Sequence, residues 1–240
     1  MLNTILGLKG KMSQSFIDGR RVTVARLTAG PCVVTQIKTQ THEGYWALQL
    51  GLGSKSLKNI TKPEQGHLKN FTKDNKAPKF LKEIRFTEEP TYKVGDEVKA
   101  EDIFKVGDMV SVTGISKGKG FEGGVRRYHF HGGSQTHGQS DRPRAPGAIS
   151  SGTTPGRVKK GKRMAGHMGT DTKTIKNLQI IAIRPETNEI DLSGPIPGIP
   201  GNLIILNRLH EGKLEGLQEA QAQIVEGKAA PTAEGATTNA

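Results

Sequence analysis

The most constraining feature of this chain lies in its middle. Residues 116–170 carry Lys117, Lys119, Arg126, Arg127, Arg142, Arg144, Arg157, Lys159, Lys160, Lys162 and Arg163 against only Glu122 and Asp141. Eleven cations minus two acids leaves +9, out of +12 for all 240 residues. Thirteen glycines fall in the same stretch, and its large apolar residues are scattered. A chain of this kind buries too little apolar surface to offset its ordering entropy. It is therefore expected to be an arm outside the core, ordered against a partner rich in negative charge. A long internal loop of this sort signals function rather than framework.

The flanks have the opposite character. "RRVTVARL", "PCVVTQIK", "YWALQLGL" and "MVSVTGI" are short β-branched or alternating runs, as are "LQIIAIRP", "NEIDL" and "NLIILNRL" after the arm. Regularly spaced strands with few helices suggest a closed barrel, which removes exposed edges. The expected fold is mainly β, the barrel being assembled from chain on both sides of the arm. Residues 1–115 supply its first part and residues 171–209 complete it, so the arm leaves and re-enters through neighbouring strands.

Within the first part, residues 61–103 read as an inserted α+β subdomain. Thr61 is a candidate N-cap with Pro63 in the first turn. A strand is expected at 81–86 and a turn of helix at 101–104. "YKVGDEV" and "FKVGDMV" repeat one pattern, a tight Val-Gly-Asp turn followed by a valine entering a strand. Residues 210–240 form an acidic tail. Five glutamates against two lysines from residue 211 onward give −3, and the Ala/Thr/Pro/Gly ending predicts partial disorder.

Several functional classes are excluded or unsupported. One cysteine, Cys32, cannot form an internal disulfide framework, and in its apolar run it reads as a buried, inert thiol. No stretch has the length of a membrane span or the layout of a secretory signal, so a cytoplasmic setting without membrane contact is expected. "GLGSKS" and "GISKGKGF" do not fit the phosphate-loop pattern, and G-x-S-x-G is absent. No cofactor and no small-molecule substrate are indicated. His129, His131, His137 and His167 lack the acids and spacings of a metal site. They read better as rings that stack on bases or donate to phosphates. The arginines add fork-shaped donors, and glycines let backbone amides approach phosphate closely. These are the parts of a segment that threads through folded RNA.

"GISKGKGFEGGVRRYHF", "RAPGAI" and "TPGRVKKGKRMAGHMG" resemble the central signature of bacterial-type large-subunit ribosomal protein three, the universal L-three family. "TKPEQGH", "KMSQSF" and "LIILNRL" extend the likeness over residues 5–209. The resemblance implies a translation-protein-type closed β-barrel with a long basic extension. It implies a non-catalytic constituent of the large subunit that binds ribosomal RNA, supports early assembly, and sends its arm toward the peptidyl-transferase region. It also implies contacts with ribosomal proteins fourteen and nineteen. Lys117, Lys119, Phe121, Arg126 and Arg127 fall at the start of the extension, Arg142 and Arg144 near its tip. Arg157, Lys159, Lys160, Lys162 and Arg163 fall on the returning limb. Tyr128 stands where relatives often carry Trp or His. Ser151 stands at a glutamine that some relatives methylate, so no modification is expected there. An RNA-modifying or RNA-processing enzyme with a basic substrate arm is the competing reading.

Overall fold

A computed structural model describes residues 2–17, 19–72 and 74–212. The chain is mainly β. Its strands are β1 (Thr4–Ile17), β2 (Arg20–Ala29), β3 (Cys32–Lys38), β4 (Trp46–Leu52), β5 (Lys55–Ser56), β6 (Lys76–Ala77), β7 (Phe80–Phe86), β8 (Glu97–Val98), β9 (Met109–Ile115), β10 (Gly120–Glu122), β11 (Gly166–Met168), β12 (Thr172–Arg184), β13 (Glu189–Ser193) and β14 (Leu203–His210). Among the described residues the α-helices are short: α1 (Gln40–Glu43), α2 (Lys62–His67), α3 (Ala100–Ile103) and α4 (Gly124–Tyr128).

Six strands close on themselves in the order β1-β14-β9-β12-β13-β2, all antiparallel. Alternation along each strand decides what fills the ring. Val110 and Val112 of β9, Ile190 and Leu192 of β13, and Ile204 and Leu206 of β14 point inward and are fully or almost fully buried. Ile5, opposite Leu206, and Leu27 and Ile180 complete this interior, while Leu6, on the other face of β1, is buried in the same continuous core.

The expectation that "PCVVTQIK" and "YWALQLGL" belong to the barrel is corrected. β3 and β4 pair with each other and with β8 and β7, forming a separate sheet in the order β7-β4-β3-β8. The insertion therefore begins near Cys32, not at residue 61. Val34, Leu48 and Leu50 of this sheet share one continuous core with the barrel. Cys32 lies in that core, and burial pushes its thiol up to about 11. Such a thiol carries almost no thiolate near neutral pH.

Other local expectations are met. α2 starts after Thr61, whose backbone N–H donates to Glu64 Oε2 at 3.3 Å, with Pro63 in the first turn. The two Val-Gly-Asp turns share one construction. Asp96 Oδ2 accepts from Lys93 N–H at 2.7 Å, and Asp108 Oδ2 from Lys105 N–H at 3.0 Å. Gly95 and Gly107 adopt φ of 100° and 98°, and their amides donate to Val34 and Ile180 of a neighbouring strand. Only glycine enters this backbone region without strain. β1 and β12 start well before "KMSQSF" and "LQIIAIRP". The acidic-tail expectation, apart from residues 210–212, lies outside the described residues. Among the described residues no helix is long and apolar enough to cross a membrane.

Candidate nucleic-acid interface

The arm departs from β9 and returns through β12, which are paired neighbours with Ile115 opposite Thr172. Its root is a hydrogen-bonded stem. Ser116 N–H donates to the Asp171 carbonyl at 2.9 Å, and Asp171 N–H to Ser116 Oγ at 3.1 Å. Lys119 N–H donates to the Met168 carbonyl at 2.9 Å, and β10 then pairs with β11. Gly169 packs directly on the Lys117 carbonyl at φ +83°, so any side chain there would part the two limbs. The expectation of an arm ordered only by a partner is corrected for this root, because the limbs satisfy each other's backbone groups.

Above the stem, α4 ends at His129 in the left-handed region. Several of the nominated arginines make contacts inside the arm. Arg126 Nη1 lies 2.9 Å from Glu122 Oε1. Arg127 Nη1 donates to the Met164 carbonyl at 3.0 Å, tying the outgoing limb to the returning one. Tyr128 is approached by two guanidinium groups, with Arg127 Cζ 5.0 Å and Arg163 Cζ 5.5 Å from its ring centre. The Phe130 ring centre is 6.0 Å away. Cation–π contact of this kind orients the ring without burying it against the barrel.

Further out the arm folds back. Gly133 N–H donates to the Pro143 carbonyl at 2.9 Å. A cavity of about 460 Å³ opens there, lined in part by Phe130, His131, Arg142, Pro146 and Lys162. A smaller one, about 220 Å³, is lined by Ser151, Arg157 and Lys159 among others. Of the nominated residues, Lys117, Lys119, Arg126, His129, His137, Arg142, Arg144, Arg157, Lys159, Lys160, Lys162 and Arg163 are exposed. Arg127 and Tyr128 are half-buried. Phe121 is 78% exposed, a bare ring on β10 opposite His167. Among the described residues no group of His, Cys, Asp and Glu is arranged to hold a metal ion.

Sequence reasoning missed the cations contributed by distant strands. Lys9 of β1 donates to the Ile196 and Gly198 carbonyls at 2.7 and 2.8 Å. Burial, and then repulsion from Lys117, lowers its ammonium pKa. Lys173 and Lys176 are exposed on the first half of β12. The alternation in "TKTIKN" was the available signal for β12, whereas nothing local links Lys9 to Lys117.

The contacts of Arg126 and Arg127 make separate predictions. Arg127→Ala removes the cross-limb hydrogen bond, so amide exchange at 166–168 should quicken about tenfold. Arg126→Ala should leave that exchange unchanged, since its ion pair with Glu122 lies within the outgoing limb and does not cross to the returning one. Neither should move the global melting transition. Equal exchange in both variants would mean that Arg127 does not hold the limbs together.

Residues 54–194 match the family model described as ribosomal protein L3. The large ribosomal subunit protein uL3 of Herpetosiphon aurantiacus is 47% identical over 209 residues, covering 87% of this chain and 97% of that protein. The protein of the same description from Dehalococcoides mccartyi is 45% identical over 209 residues, covering 87% and 98%. That from Syntrophobacter fumaroxidans is 40% identical over 214 residues, covering 89% and 100%.

Proposed function

The chain belongs to the ribosomal protein L3 family, and on that premise we propose that it is a structural constituent of the large ribosomal subunit that binds large-subunit ribosomal RNA directly. The observation that carries this reading is the arm itself, a paired stem leading to a long exposed segment of nearly single sign. Exposed faces of soluble proteins ordinarily mix charges. A segment left so cationic fits a polyanion, whose condensed counterions are released as phosphates are neutralised. Family membership sets aside the RNA-modifying enzyme, because the L3 family is structural and non-enzymatic.

In this reading the barrel is of the translation-protein type and acts in early assembly, and the far part of the arm, residues 132–147, approaches the peptidyl-transferase region. Arg142 and Arg144 there, and Arg157, Lys159, Lys160, Lys162 and Arg163 on the return, contact phosphates. Lys117, Lys119 and Arg126 do so nearer the stem. Phe121, His129 and His137 offer rings to bases, while Arg127 and Tyr128 hold the limbs in register. Residues 171–209 complete the barrel. Ribosomal proteins fourteen and nineteen are the expected neighbours, and Ser151 stays unmodified.

Sedimentation tests this directly. The tagged full-length protein, expressed in a bacterium, should co-migrate with large subunits in a sucrose gradient and remain with them at moderate salt. Recovery only at the top of the gradient would overturn the reading.

A further inference from the structure

The β1–β2 ribbon and the arm leave the same rim of the barrel. Leu8 of β1 is level with Leu203 of β14, whose neighbour Ile204 is level with Gly114 of β9. Chain beyond Leu8 and chain beyond Ile115 therefore project from one end. The connection between β13 and β14 joins their roots. Gly201 N–H donates to the Lys9 carbonyl at 2.7 Å, and Gly198 is packed on the Ile115 carbonyl. The ribbon bends out of the barrel at a register shift between Lys9 and Met12. β13 accompanies β2 only as far as Val24. Gly194 N–H still donates to the Thr23 carbonyl at 2.9 Å, and the three residue pairs beyond it, from Ser15↔Val22 to Ile17↔Arg20, extend free for about 10 Å.

One face of this free ribbon is unusual for a solvated hairpin. Phe16 lies directly opposite Arg21, and Gln14 opposite Thr23, so these four side chains share a face. All four are exposed, Phe16 at 60%, and Met12 behind them at 45%. Residues 9–21 hold Lys9, Lys11, Arg20 and Arg21 against Asp18 alone.

We propose that the β1–β2 ribbon is a second RNA-contacting element, which grips ribosomal RNA together with the arm from one end of the barrel. Phe16 stacks on an unpaired base, Arg21 on the same face contacts a flanking phosphate, and Arg20, opposite Ile17 on the other face, contacts phosphate at the ribbon end. The charge selects RNA over an apolar protein surface. A protein partner would leave this cluster of cations facing a desolvated interface, whereas phosphates match it and the neighbouring Lys117 and Lys119. The inference rests on the ribosomal RNA-binding reading above.

The test uses the full chain and purified bacterial large-subunit ribosomal RNA, with affinity measured against salt. Phe16→Ala should weaken binding about 5- to 100-fold with the salt slope unchanged, as for a lost stacking contact. Arg20→Gln with Arg21→Gln should flatten the slope of log K by about 1 to 2 units. That double variant alters exposed side chains only and keeps the test decisive if Phe16→Ala disturbs the ribbon. Wild-type affinity and slope in both variants would overturn the proposal and leave the arm reading intact. Normal RNA binding combined with loss of a neighbouring protein from the variant subunits would also overturn it, marking the ribbon as a protein-docking face. Failure of the wild-type chain to bind this RNA would instead remove the functional reading on which the proposal stands.

Discussion

Replacement of residues 123–165 by Asn-Gly is expected to give a folded protein that binds large-subunit ribosomal RNA at least about 100-fold more weakly near ~0.15 M salt. The cut is placed where β10 and β11 already pair, Glu122 opposite Gly166, so a two-residue turn closes the stem. None of the removed residues belongs to the shared core, and the cooperative melting transition should survive. The excision takes out nine cations and Asp141 as the only acid. If about four of the nine neutralise phosphates, the salt slope falls by about 3 to 4 units, which at this salt concentration is a factor of a few hundred. Circular dichroism melting and salt-dependent binding read the two halves separately. Loss of the cooperative transition would show that the arm is part of the folding unit. Retained affinity would show that the RNA is held elsewhere.

The largest stability effect is expected at Asp191. This carboxylate lies on the outer face of β13, yet its side chain is only 4% exposed, because two arginines cover it. Arg26 Nε donates to Oδ1 at 3.0 Å and Arg184 Nη2 to Oδ2 at 2.7 Å. Glu189 is a more distant partner of both, at 3.5 to 3.6 Å. Asp191→Ala leaves two guanidinium groups against one exposed-side carboxylate. Breaking a fully buried pair costs about 3 to 5 kcal/mol. The arginines are partly solvated, so about 2 to 4 kcal/mol is expected here, a fall of roughly 5–15 °C in melting temperature. Burial alone would raise the Asp191 pKa, but the hydrogen bonds from Arg184 and Arg26 outweigh it and hold the carboxyl below its ordinary value. A carboxyl depressed in the folded state contributes its full stability above the unfolded pKa of about 3.9 and loses it as pH falls through the folded value. The gap between wild type and Asp191→Asn should thus be constant from neutral pH down to about 5 and shrink below about 4. A gap independent of pH would mean that the ion pairs do not carry the effect.

Much of this was legible in the residues. The arm's limits, its sign and its root on adjacent strands follow from a sharp change in charge, glycine content and periodicity between Ile115 and Thr172. The Val-Gly-Asp turns and the start of α2 are equally local, because each is built from groups within a few residues of one another.

Three matters were settled only by tertiary structure. β3 and β4 have the same short apolar pattern as barrel strands, and side-chain alternation states that one face is buried without stating which strand lies alongside. Pairing with β7 and β8 is a long-range choice. Arg127 is indistinguishable in sequence from the cations around it. Its tie to Met164 exists only because the stem brings residues 37 apart within reach. The convergence of Lys9, Lys117 and the Phe16–Arg21 face on one rim depends on the register of β1, β14 and β9. Composition and period are carried by each segment separately, so they determined what each segment is; register is shared between strands brought together by ring closure, so only the folded chain decided which segments stand together.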